Sequence, residues 1–159
     1  MRSVLVGMML AAAAPAGAAD YVVVTLHADI NAPADAAWAK VGGYCDIGKW
    51  AKLPCEMVSG TGGVGSVRKL AGGVIEEPMF AATAHSYTYG QTVGPNKGID
   101  YHGTLAVDPT GARSSRATYT LIYDQALVPP DKRDAMKSGL QRFQRFLDTM
   151  KEMAEAPGQ

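Results

Sequence analysis

The chain has 159 residues, with 15 basic and 15 acidic side chains and two cysteines. That length allows one domain with a real core and excludes two of ordinary size. The balanced charge gives no bulk attraction to nucleic acid or to an anionic membrane face, and nothing after the first twenty residues is apolar for long enough to span a bilayer.

Residues 1–19 open with Arg2, continue through an apolar stretch from Val4 to Ala14, and end in Pro15 and a run of small residues. This is the layout of a secretory signal peptide, with cleavage expected between Ala19 and Asp20. A membrane anchor is the alternative reading, and the apolar run is short for one. Residues 20–159 are then expected to form a single periplasmic or secreted domain, with no membrane insertion after cleavage. In an oxidising compartment Cys45 and Cys55 are expected to pair. Two separate buried thiols are the alternative, because spacing alone does not set the geometry of a bridge.

Tyr21 to Ile30 (YVVVTLHADI) is β-branched and partly alternating, and predicts a strand. A short helix follows through Trp38 to Val41, with Asn31 or a neighbour as its cap and Pro33 in its first turn. Gly42-Gly43 is expected to stop it by backbone freedom. Tyr44 to Leu53 is a second short helical piece containing Trp50. Strands are then predicted at residues 55–60, 66–70, 74–84, 87–93, 100–107 and 115–123. Gly-Pro-Asn-Lys-Gly at 94–98 reads as a loop, and Pro109-Thr110-Gly111 as a hairpin turn. From residue 130 the period changes: Met136, Leu140, Phe143, Leu147, Met150 and Ala154 recur at spacings of three and four, which predicts a long amphipathic helix.

Gly60, Gly62 and Gly65 spell G-x-G-x-x-G, the string of a dinucleotide-binding loop. Such a loop needs a helix N-terminus directly after it to hold the pyrophosphate. Here Ser-Val-Arg-Lys-Leu follows, a strand pattern, so the glycines are read as a tight connection between two strands. No Gly-Lys-Ser or Gly-Lys-Thr marks a phosphate loop. His27, His85 and His102 lie on separate segments without metal-ligand spacing. No cofactor or metal is expected.

The proline-led helix with Trp38, the aromatic Tyr44 and Trp50 behind it, the Gly63-to-Arg68 turn, the acidic pair Glu76-Glu77 and the Tyr-x-Tyr at 87 and 89 together resemble the SRPBCC superfamily. These are the START-like, birch-allergen-like helix-grip proteins, which include polyketide cyclase/dehydrase-type bacterial members. The resemblance covers residues 21–154. It implies an α+β fold in which a seven-stranded antiparallel curved sheet wraps around a long C-terminal helix, with two short helices after the first strand. It also implies a cavity between sheet and helix for a small hydrophobic or aromatic ligand.

Strand alternation nominates the inward residues. Tyr101 shares a face with Gly103, Leu105 and Val107; Tyr119, Leu121 and Tyr123 share another. Met136, Leu140 and Phe143 answer from the helix, and Trp50, Met79 and Tyr89 complete the apolar candidates. Each has an ordinary packed-core alternative. Arg68 is the polar candidate, with Glu77 or its neighbour Glu76 beside it; only one of two adjacent strand residues points inward. The alternative is a surface ion pair worth little. Binding or transport of a small hydrophobic or aromatic molecule is the leading expectation. A cofactor-free cyclase, dehydratase or aldol-type enzyme working by acid/base chemistry in the same cavity is the second. A partner-binding module is the third. The sequence sets no oligomeric state.

Overall fold

The computed structural model describes residues 18–157; residues 1–17 of the expected leader lie outside the described residues. Strand β1 (Tyr21–Ile30) is followed by helices α1 (Ala34–Val41) and α2 (Ile47–Trp50). Six strands come next: β2 (Cys55–Ser59), β3 (Val67–Leu70), β4 (Ile75–Thr83), β5 (Ser86–Gly90), β6 (His102–Gly111) and β7 (Ser114–Asp124). Helices α3 (Arg133–Leu140) and α4 (Phe143–Glu155) end the chain.

All seven strands lie in one antiparallel sheet of order β1-β7-β6-β5-β4-β3-β2. The first strand therefore pairs with the last, and α1 and α2 carry the chain to the opposite edge. Register shifts at Met57/Ser59, Met79/Ala81 and Pro109/Gly111 add the local twist that lets a sheet curve. The concave face closes on α4, which packs against β1, β7, α1 and α2. Phe143, Leu147, Met150 and Ala154 form its buried stripe.

The C-terminal helix runs in two segments. At the junction Gln141, Gln144 and Arg145 each donate to the carbonyl three residues back, with spans of 3.1 Å. This is a tight 3₁₀ step inside an otherwise helical path, placed beside Gly139, a poor helix former. It turns residue 142 toward the mouth of the grip.

Several local expectations are corrected. Asn31 does not cap α1; Pro33 occupies that position with no side-chain bond, and the Asn31 N–H donates instead to Glu155 Oε1 (2.8 Å). Gly42 is not there for left-handed freedom, since its φ is −87°. A Cβ at that position would sit 2.2 Å from the Trp38 ring, so close approach is the reason for the glycine. The hairpin turn falls at Ala112-Arg113, and Pro109 instead marks a bulge within β6, where its missing N–H costs no ladder bond. β5 ends at Gly90, and Val93 keeps only an isolated bridge to Glu76. The cluster at 60–65 does join β2 to β3, with Gly60, Gly62 and Gly65 all at positive φ.

Candidate functional site

β3 and β4 pair so that Arg68 stands directly opposite Glu77 and Lys69 opposite Glu76. Alternation sends the first pair inward and the second out. Arg68 and Glu77 are almost completely buried, whereas Glu76 meets Lys69 at the surface (3.9 Å). Glu77 is thus the inward carboxylate. Its Oε2 accepts from Arg68 Nε (2.8 Å) and Nη2 (2.7 Å), and Arg68 Nη1 donates to the Tyr44 carbonyl.

Burial alone would disfavour a cation here. Arg68 is instead enclosed by groups that favour it. The Tyr44 ring lies 4.2 Å from the guanidinium carbon, Tyr89 4.9 Å and Tyr87 5.6 Å, so three ring faces meet the charge. Burial opposes the charge, but Glu77 and the surrounding tyrosines together outweigh it, and the arginine pKa is raised. Tyr44 also donates from its hydroxyl to the Glu77 carbonyl (3.0 Å). The Cys45–Cys55 disulfide fixes the segment carrying Tyr44 to the first residue of β2.

More tyrosines line the interior beyond this pair. The Tyr89 and Tyr119 hydroxyls bond each other at 2.8 Å, and burial pushes both pKa values well up, so both stay neutral. Tyr87 and Tyr101 are also buried, yet their hydroxyls have no hydrogen-bond partner.

What remains open between sheet and helix is a cavity of about 70 Å³. Glu77, Tyr89, Gln91, Asn96 and Arg142 give it polar walls; Ile47, Leu53, Leu70, Ile75, Phe143 and Phe146 give it apolar ones. Outside lies an open groove of about 490 Å³ between the 95–99 segment and residues 127–136. Pro95 lines both spaces, so the 94–98 loop is the partition. That loop is tied to the buried pair: the Asn96 N–H donates to Gln91 Oε1 (3.1 Å), and Gln91 Nε2 donates to Glu77 Oε1 (3.1 Å). Gly94 and Gly98, at its two ends, have φ of 131° and 83°.

Of the residues nominated from sequence, Glu77, Tyr89 and Phe143 line the cavity. Met136 lines the outer groove, half-buried, and Tyr101 borders a shallow outer hollow with Phe80 and His102. Trp50, Arg68, Met79, Tyr119, Leu121, Tyr123 and Leu140 line neither cavity nor groove; they are packed core. The physical reason is that side chains from the sheet and from the helices together fill the interior. Trp50 spends its indole N–H on the Val41 carbonyl (3.2 Å) and packs its ring, tilted, on Phe146, while Arg68 spends its donors on Glu77 and Tyr44. Gln91, Asn96 and Arg142 were not nominated. Gln91 was legible, since it continues the inward alternation 87, 89, 91. Arg142 was not, because an unbroken helix would leave it on the charged face.

Among the described residues no group of three His, Cys, Asp or Glu side chains is placed to hold a metal, and no helix is long and apolar enough to cross a membrane.

The family described as polyketide cyclase/dehydrase and lipid transport matches residues 21–155. No curated protein matches the sequence. Solved structures share the fold at low identity. The Zhui aromatase/cyclase from a Streptomyces species has a TM-score of 0.68 at 17% identity, covering 86% of this chain and 94% of its own. Norcoclaurine synthase from Thalictrum flavum, in complex with dopamine and hydroxybenzaldehyde, has a TM-score of 0.64 at 19% identity, covering 89% and 91%. A protein from Thermobifida fusca has a TM-score of 0.68 at 19% identity, covering 83% and 92%.

Proposed function

This chain belongs to the polyketide cyclase/dehydrase and lipid transport family of the helix-grip superfamily, and from that premise we propose that it binds a small hydrophobic or aromatic molecule between its sheet and α4. The observation that carries this reading is the cavity bounded by Glu77, Gln91 and Asn96 on one side and Phe143 and Phe146 on the other. Ligand sites are mostly apolar hollows with a few polar groups that fix orientation. At about 70 Å³ it holds roughly two waters, so a ligand enters by displacing the 94–98 loop and joining cavity to groove. The Asn96–Gln91–Glu77 hydrogen bonds are the contacts that give way.

Binding of the neutral probe N-phenylnaphthylamine tests this, with Ile75→Trp as the filled-cavity variant and thermal melting to verify its fold. One saturable site per chain, lost in the folded Ile75→Trp protein, is expected. No saturable binding, or binding untouched by the tryptophan, overturns the reading.

A second reading is favoured by Glu77 and Tyr89, which line the cavity, with Arg68 packed behind Glu77 and hydrogen-bonded to it. In it Glu77 takes a proton from carbon next to a bound ketone, and the fold serves a cyclase, dehydratase or aldol-type reaction without a cofactor. Deuterium incorporation from heavy water into an aryl methyl ketone, abolished by Glu77→Gln, would support it; incorporation no faster than in buffer would remove it.

We also propose that the mature protein works outside the cytoplasm, on the leader layout and the Cys45–Cys55 bond. An exported product beginning at Asp20 supports this, and a full-length cytoplasmic product overturns it.

A further inference from the structure

The cavity and the groove share an electrostatic feature. Glu77 is the one acidic residue lining either space, and its charge is already met by Arg68. The basic residues are not met. Arg142 lines the cavity, Lys97 and Lys132 line the groove across the partition, and among the described residues none of the three has a carboxylate within salt-bridge reach. The chain as a whole has equal numbers of acidic and basic residues. The excess is therefore local to the way in.

A second observation points the same way. The Arg142 guanidinium carbon lies 5.7 Å from the centre of the Phe143 ring, so an unpaired cation and an apolar surface meet at the cavity wall. Phe143 and Phe146, packed edge to face at 5.2 Å, are the apolar surface for what the anion is attached to.

We propose that the ligand is an organic anion, an aromatic or branched apolar body carrying one carboxylate, sulfonate or phenolate, and that Arg142 selects its charge. This rests on the binding reading above. Lys97 and Lys132 draw the anion toward the groove, a long-range effect that weakens with salt. Arg142 meets it at the mouth, and the partly exposed position limits the gain to about fivefold in affinity.

The test compares anilinonaphthalene sulfonate with N-phenylnaphthylamine, which share an aromatic skeleton and differ by the sulfonate. Wild-type protein is expected to prefer the anion, and the preference to shrink as salt is raised. Arg142→Gln is expected to cut the anion-to-neutral affinity ratio by about fivefold, Arg142→Lys to restore most of it, and Lys97→Gln with Lys132→Gln to slow anion association. Equal affinity for the two probes, or a ratio unmoved by Arg142→Gln, overturns the inference and leaves the binding reading standing. Binding of neither probe overturns both.

Discussion

Gly103 on β6 faces Tyr89 on β5, and the tyrosine ring lies over the position where a side chain would begin. A Cβ at residue 103 would sit 2.5 Å from Tyr89 Cζ and 2.6 Å from its hydroxyl oxygen. That approach lets Tyr89 reach Tyr119 and fills space the grip would otherwise leave open. Gly103→Ala is expected to cost about 1–3 kcal/mol through overpacking, measured by urea unfolding. Tyr119→Phe, which removes only the hydroxyl partner, is expected to cost about 1 kcal/mol.

The Arg68–Glu77 pair is buried and hydrogen-bonded on both sides, so removing one partner strands a charge. Arg68→Met or Glu77→Leu alone is expected to destabilise by about 3–5 kcal/mol. The double variant, apolar at both places, is expected to lie closer to wild type than either single one. Equilibrium unfolding of the four proteins reads the coupling directly; additive losses would show that the two side chains act independently.

The Cys45–Cys55 bond closes a loop of ten residues, which in the chain-entropy account is worth about 2–3 kcal/mol. A reductant, or Cys45→Ser with Cys55→Ser, is expected to lower the melting temperature accordingly. Because Tyr44 is held next to Cys45, loss of the bond is also expected to speed hydrogen exchange at residues 44–50 more than in β6 or β7.

Burial raises the pKa of Tyr89, Tyr101 and Tyr119 above the usual tyrosine value. The folded state therefore holds these protons more tightly than the unfolded chain, whose tyrosines titrate near pH 10. Their contribution is fully present below about pH 10 and is lost as pH rises from there toward the folded values. Tyrosinate absorbance from these residues is expected to appear together with unfolding. A rise in the folded protein accounting for all seven tyrosines would contradict their burial.

Strand alternation made most of the interior legible. Residues 87 and 89, 101 to 107, and 117 to 123 point where a period of two sends them, because one face of the sheet is covered and the other is not. Which of Glu76 and Glu77 turns inward was not legible, since adjacent strand residues are equivalent until β3 supplies the register with Arg68 opposite residue 77. The size of the hollow was hidden for a different reason. It depends on how far each ring leans across the sheet, and Gly103 governs Tyr89 through space. Arg142 was not legible because one tight step at 141–142 interrupts a helix whose hydrophobic spacing runs on unbroken.

The most direct measurement is an amide NMR titration of isotope-labelled protein with phenylacetate and with neutral phenylacetamide. Saturable shifts are expected, concentrated at Ile75, Gln91, Asn96 and the Arg142–Phe143 junction, with the 94–98 loop changing its exchange behaviour as it moves. An unchanged spectrum at high concentrations of both, or shifts confined to the outer sheet face at Val23 and Phe80, would contradict a ligand site between the sheet and α4.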